Sequence, residues 1–207
     1  MSFHSLGLDA RLVRAIDELG FANPTPIQAS AIPPAVDNRD LLACAMTGSG
    51  KTAAFMLPVL NRLLATPRRA TRALVLTPTR ELAAQIVEAT EAFARHTPIK
   101  VAAVFGGVGH KPQEQAFRDK VDIIVACPGR LLDHFKEAYG VLPDLEVLVL
   151  DEADRMLDMG FLPDLRRVLE ALQPQVATFF VVGRNVTHLH AQALALTGHF
   201  HSHTIYE

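Results

Sequence analysis

Two short runs in the chain combine residue types that can handle phosphate. The first is Ala45-Met46-Thr47-Gly48-Ser49-Gly50-Lys51-Thr52, which follows an apolar run, Leu41–Met46, and opens a segment of helical period. Apart from alanine at its first position, it fits the phosphate-binding loop pattern. Gly48 and Gly50 let the backbone turn its N–H groups toward phosphate oxygens, and the dipole of the following helix favours an anion there. Lys51 reaches outer phosphates, and the Thr52 hydroxyl is a Mg²⁺ ligand. The nucleotide candidates in this run are therefore Thr47, Gly48, Ser49, Gly50, Lys51 and Thr52. A glycine-rich turn before an ordinary helix is the plain alternative. Kinases, GTPases and motors share such a loop, so alone it names a phosphate site and little more.

The second run is Val147-Leu148-Val149-Leu150-Asp151-Glu152-Ala153-Asp154. It places carboxylates at the carboxyl end of an apolar strand. In a parallel sheet that end faces the same crevice as the phosphate loop. Asp151 suits Mg²⁺, usually through water, because Mg²⁺ keeps much of its hydration. Glu152 suits a water-orienting general base, a role that contributes about 10²–10⁴-fold. The catalytic candidates are Lys51, Asp151 and Glu152, and the metal candidates Thr52 and Asp151. The alternative is a solvated acidic strand end.

The elements that must position these runs follow from periodicity. Apolar stretches fall at Leu41–Met46, Ala73–Thr77, Lys100–Phe105, Asp122–Ala126, Glu146–Leu150, Thr178–Val182 and His203–Tyr206. They read as strands apolar on both faces, as a sheet covered by helices requires. Asp9 caps a helix carrying Leu12, Ile16 and Leu19, and Thr25-Pro26 opens another. Arg80–Arg95 and a stripe of Phe161, Leu165, Val168, Leu169 and Leu172 complete the helical signals. The expectation is an α/β fold with a mostly parallel sheet of about seven strands and helices on both faces.

Composition bounds the rest. The 207 residues are 49% hydrophobic and 20% charged, with net charge -2, which excludes a globally disordered chain and argues against a grip on nucleic acid by bulk charge, though not against a local basic strip. Two cysteines, Cys44 and Cys127, without a CxxC, read as two buried reduced thiols of a cytoplasmic protein. No signal peptide is visible at the start, and no apolar run approaches the roughly 20 residues of a membrane helix.

The chain resembles the DEAD-box ATP-dependent RNA helicases, most of all the bacterial members. Asp151-Glu152-Ala153-Asp154 spells the family's name, and the likeness covers essentially all 207 residues. It implies a single RecA-like P-loop NTPase domain over residues 1–207, the amino-terminal half of a complete member, with the second RecA-like domain absent. ATP (or ADP or AMP) and Mg²⁺ are the implied cofactors, RNA and that second domain the implied partners. Gly20-Phe21-Ala22-Asn23-Pro24-Thr25-Pro26-Ile27-Gln28 looks like the family's Q motif, within residues 1–29. A glutamine amide donates and accepts at once, matching the N6/N7 edge of adenine. Phe21 can stack on the base, Phe3 supports it in the family, and Thr25 joins the nucleotide candidates. No Asn-Lys-x-Asp run of the GTPase kind occurs.

Three further segments resemble the family's RNA-backbone contacts: Pro78-Thr79-Arg80, Gly106-Gly107 and Pro128-Gly129-Arg130. Each alone is ordinary turn chemistry; each follows a strand. Contacts to sugar and phosphate carry no base information, so little base preference is expected. The chain departs from the family at Cys127, where threonine is usual, and at Val181-Val182-Gly183, where the family has Ser-Ala-Thr. Those hydroxyls bond the last Asp of the acidic motif, here Asp154, and help couple turnover to strand separation. The second domain supplies an arginine finger worth about 10³–10⁵ in rate. The isolated chain is thus expected to bind adenine nucleotide with little turnover and no unwinding. Two other readings stay open: a non-catalytic nucleotide-binding partner module, and a DNA-directed motor domain. His188, His190, His199, His201 and His203 could in principle hold a metal, against the plainer reading of a polar helix and an edge strand.

Overall fold

The computed structural model describes residues 2–66, 70–172, 176, 178–183 and 203–206. After a 3₁₀ turn at Phe3–Ser5 the chain runs α1 (Ala10–Glu18), α2 (Pro26–Val36), β1 (Leu41–Cys44), α3 (Lys51–Ala65), β2 (Ala73–Leu76) and α4 (Arg80–Ala94). It continues as β3 (Val101–Val104), α5 (His110–Arg118), β4 (Ile123–Ala126), α6 (Pro128–Phe135), β5 (Val147–Leu150), α7 (Ala153–Asp158), α8 (Leu162–Leu172), β6 (Thr178–Gly183) and β7 (His203–Tyr206). The strands form one sheet in the order β3-β4-β2-β5-β6-β1-β7, and every pairing is parallel.

The two-residue period of a strand divides the core. Leu41, Ala43, Ala73, Val75, Ile123, Val125, Val147, Val149, Phe180 and Val182 face the layer of α1–α4. Leu42, Cys44, Leu74, Leu76, Ile124, Ala126, Leu148, Leu150 and Val181 face the layer of α5–α8. Strands β1, β2, β4 and β5, all inside the sheet edges, are buried at every position. At β3 the expected two-sided burial fails: Val101, Ala102 and Ala103 are only half-buried, because β3 is an outer strand with one neighbour. Cys44 is buried as expected, but Cys127 is only half-buried because it lies beyond the end of β4, where the chain turns into α6.

Local signals set the helix starts. Asp9 caps α1 by accepting from Arg11 N–H, and Thr79 caps α4 through Leu82 N–H at 3.2 Å. Pro26 and Pro128 stand in the first turns of α2 and α6, where a missing N–H costs nothing. Phe161 precedes α8 rather than belonging to it, while Leu165, Val168, Leu169 and Leu172 form its buried stripe.

At the amino ends of β2 and β5, Arg72 is 1% exposed and grips Glu146 with two bonds of 2.8 and 3.0 Å. Arg62 joins them, donating to Glu146 at 3.3 Å and to Thr178 at 2.8 Å. This network ties α3, β2, β5 and β6 together at the edge opposite the phosphate loop. Among the described residues no helix is long and apolar enough to cross a membrane.

Candidate nucleotide and RNA site

The phosphate loop leaves β1 and enters α3 through two glycines in the left-handed region, Gly48 at φ +83° and Gly50 at φ +90°. A side chain at either position would be strained. At Gly50 it would also collide with the Gln28 amide. Gln28 is 1% exposed: its Oε1 accepts from Thr25 N–H at 2.9 Å, and its Nε2 donates to the Gly50 carbonyl at 3.1 Å. The Q-motif helix and the phosphate loop are thus joined by one buried amide. Beside them, Phe21 is half-buried and meets Phe3 and Phe93 edge-on, at ring separations of 6.3 and 6.1 Å. Phe3 supports Phe21 as expected.

Lys51 Nζ curls over the loop and donates to the carbonyls of Ala45 and Met46, the latter at 2.7 Å. Thr47 and Gly48 are exposed, and Thr52 is half-buried in the first turn of α3. The Ser49 hydroxyl is buried and has no partner among the described residues. A buried orphan hydroxyl in a loop of left-handed glycines, beside a lysine, fits a phosphate that would accept from it. The Thr52 hydroxyl and the Asp151 carboxylate are hard oxygen donors of the kind Mg²⁺ takes.

Asp151 continues the alternation of Val147 and Val149 and is 4% exposed. Burial, followed by the neighbouring Glu152 carboxylate, pushes its carboxyl up to about 7; a bond from Glu152 N–H at 3.0 Å and the Lys51 ammonium oppose that rise. The loop follows β1 and the acidic run follows β5, strands that flank β6 in parallel, so both leave the same carboxyl edge of the sheet. Glu152 sits at φ +50°, ψ 45°, a left-handed conformation that costs a non-glycine residue about 1–3 kcal/mol. Its carboxylate accepts from the Arg155 guanidinium at 2.9 Å. Arg155 escaped the sequence reading; its only signal is the i,i+3 spacing from Glu152. Asp154 is half-buried and accepts from Arg155 N–H at 3.0 Å. Val181-Val182-Gly183 lies in β6 between the two strands that carry the site, with Leu150 opposite Val181 and Cys44 opposite Gly183. Ala45 N–H donates to the Gly183 carbonyl at 3.2 Å.

The three RNA candidates follow β2, β3 and β4, which are adjacent, so the fold brings them together. Thr79 is spent on capping α4. Arg80 is exposed and pairs with Glu81 at 2.7 Å, and its guanidinium lies against Gly107, which has φ +84°. Gly106 faces open space. Pro128 and Gly129 open α6, whose cap Cys127 makes no side-chain hydrogen bond. Arg130 donates to Gln113 at 3.3 Å, another residue that the sequence reading did not single out. Of the histidine-rich stretch, His188, His190, His199 and His201 lie outside the described residues, and for His203 only the strand is described.

Residues 25–192 match the family model described as DEAD/DEAH box helicase. The chain belongs to the DEAD/DEAH box helicase family. It is 50% identical over 173 residues to a probable ATP-dependent RNA helicase, ddx27, of Dictyostelium discoideum, covering 82% of this chain and 22% of that protein. It is 48% identical over 170 residues to the ATP-dependent RNA helicase SrmB of Escherichia coli, covering 81% of this chain and 38% of that protein. Its fold is similar to the crystal structure of a hypothetical ATP-dependent RNA helicase from Sulfolobus tokodaii, with TM-score 0.84 and 31% identity over 96% of this chain and 57% of that one. The chain therefore spans well under half the length of these two curated relatives. The α/β fold with a parallel sheet of about seven strands, read from periodicity, holds, and so does the RecA-like helicase architecture that the resemblance implied.

Proposed function

We propose that this chain is the ATP-binding domain of an ATP-dependent RNA helicase, with the nucleotide in the crevice between the phosphate loop and Asp151-Glu152. The observation that carries the reading is that β1 and β5 flank β6 in one parallel sheet, so the loop bearing Lys51 and the buried Asp151 with Glu152 leave the same carboxyl edge. Along that edge, past β5, lie the turns bearing Arg80, Gly107 and Arg130. Nucleotide and RNA sites are neighbours on one rigid sheet.

The residues divide the work. Gly48, Ser49 and Gly50 present N–H and hydroxyl donors to phosphate, and Lys51 swings from the Ala45 and Met46 carbonyls to the outer phosphates. Thr47 and Thr25 border the loop and the base side. Thr52 and Asp151 would hold Mg²⁺, which supplies charge neutralisation at the transferred phosphate. Glu152 orients and deprotonates the attacking water, with Arg155 holding it in place between turnovers. Phe21 stacks on adenine, and Gln28 reads its edge with the N–H capacity left beyond the Gly50 bond. Pro78, Thr79, Arg80, Gly106, Gly107, Pro128, Gly129 and Arg130 form the RNA surface. The polypeptide works in the cytoplasm together with a second RecA-like domain, which closes the crevice and supplies the missing cation.

The test is competition binding of single-stranded RNA and DNA of matched length to the 207-residue chain with Mg-ATP, alongside ATPase measured with and without a second RecA-like half. The reading expects RNA preferred, little base preference, and turnover that rises when the second half is added. Equal binding of DNA favours the DNA-motor reading. One structural feature favours a partner module without turnover: Val181 is apolar and 2% exposed, and Gly183 has no side chain, at the two positions where the resemblance puts the serine and threonine hydroxyls. ATPase that stays at background with the second half present selects that module.

A further inference from the structure

The RNA candidates are backbone turns and two arginines from three separate loops, and something must hold them in register. The Gln113 amide touches two of those loops. It is 3% exposed, in the second half of the first turn of α5. Its Nε2 donates to the carbonyl of Phe105 at 3.0 Å and to that of Gly109 at 3.3 Å, the residues flanking the Gly106-Gly107 turn. Its Oε1 accepts from Arg130 Nε at 3.3 Å and from His134 Nε2 at 3.2 Å. Two donors and two acceptor sites are the full capacity of an amide, and all are used. The orientation is forced, because a flipped amide would set its NH₂ against a guanidinium and its oxygen against two carbonyls.

The same logic fixes the histidine. With Oε1 as the acceptor, His134 Nε2 carries the proton, and Nδ1 accepts from the Tyr139 hydroxyl at 3.2 Å. The ring is fully buried, stacked on His110 at 4.3 Å and Phe117 at 5.0 Å. Burial, with the nearby His110 and Arg130, drives its pKa down to about 4 against a weaker pull from Asp133 and Glu114, so the ring stays neutral. A neutral ring leaves the Gln113 oxygen free to share itself with the Arg130 cation.

We infer that Gln113 is a positioning residue for RNA: one buried amide holds the glycine turn after β3 and the Arg130 guanidinium of α6 in a single phosphate-facing surface. The inference rests on the RNA reading above. The held groups lie at the carboxyl edge beside Arg80, whose guanidinium contacts Gly107, so the amide organises an arginine–glycine–arginine strip. A packing role alone needs no amide there, since a leucine fills similar volume without desolvating polar atoms.

The experiment measures single-stranded RNA affinity of the 207-residue chain across a salt series for wild type, Gln113→Leu, Arg130→Ala and the double variant. Losing one phosphate contact flattens the plot of log affinity against log salt by about 0.7 for a single strand. Gln113→Leu should flatten it by about that much, lower RNA affinity roughly tenfold at low salt, and leave Mg-ADP affinity within twofold. Added to Arg130→Ala it should flatten the plot no further. A Gln113→Leu plot parallel to wild type, or a flattening additive with that of Arg130→Ala, overturns the inference. If that variant does not fold, NMR of the unaltered chain decides: RNA should shift the two Gln113 side-chain amide protons, and unmoved signals at saturating RNA overturn it. A wild-type chain that binds no single strand removes the RNA reading itself, and the Gln113 role with it.

Discussion

Gln28 donates to the backbone carbonyl of Gly50 from the first turn of α2, and a Cβ at residue 50 would occupy the space its amide fills. The base-reading segment and the phosphate loop are therefore one mechanical unit. Gln28→Ala should weaken ATP binding by about 1–3 kcal/mol, and GTP by less, because the loop loses a brace for both ligands but the base contact only for adenine. Parallel titrations of the two nucleotides check this; equal losses would confine Gln28 to bracing the loop.

Asp151 sets stability against function. Its buried carboxyl is held up to about 7 by desolvation and by Glu152, so its ionised form destabilises the nucleotide-free fold. Asp151→Asn should raise the melting temperature of the nucleotide-free chain by a few degrees. The same change should abolish the Mg²⁺ dependence of ATP affinity. Thermal melts with and without Mg-ATP measure both, and a lower melting temperature without ligand would contradict the first.

Cys127 caps α6 with no side-chain bond, although its backbone already has the extended conformation of a cap. Cys127→Thr should add about 0.5–1 kcal/mol of stability through a hydroxyl bond to the first-turn N–H groups. Urea unfolding reads the change; no gain would mean the turn does not admit the cap.

Glu146 governs acid stability. Arg72, then Arg62, hold its carboxyl below the ordinary value of 4.5. A lowered folded-state pKa stabilises above pH 4.5, and that stabilisation disappears as pH falls through the lowered value. Glu146→Ala should cost about 3 kcal/mol at neutral pH, because it leaves the buried Arg72 cation without its carboxylate, bonded only to Leu63 and Thr66. It should also flatten the loss of stability on acidification below pH 4.5. Urea unfolding of both proteins across that range tests the prediction.

Much of this was legible beforehand. Strand positions followed from apolar runs because both faces of the central strands are covered, and the phosphate loop was recognisable because its chemistry is local in sequence. Burial at β3 misled, since nothing in Val101–Val104 reveals that the strand lies at the edge; sheet order decides that. Gln113 and His134 were invisible for a related reason. Their partners lie 17 and 21 residues away on different elements, and a glutamine or a histidine on an amphipathic helix reads as surface. Arg155 stands three residues from Glu152, a spacing that helices bring together, but the helix start at Ala153 that makes the spacing count was not read from the sequence.

The central claim is that a triphosphate docks between Lys51 and Asp151. Calorimetric titration of Mg-ATP and of AMP into wild type and Lys51→Ala tests it most directly. The account predicts saturable heat for both ligands with wild type, and a variant that loses far more affinity for ATP than for AMP, because Lys51 meets only the outer phosphates. No heat with folded wild-type chain, or a variant that binds ATP as tightly as wild type, would contradict it.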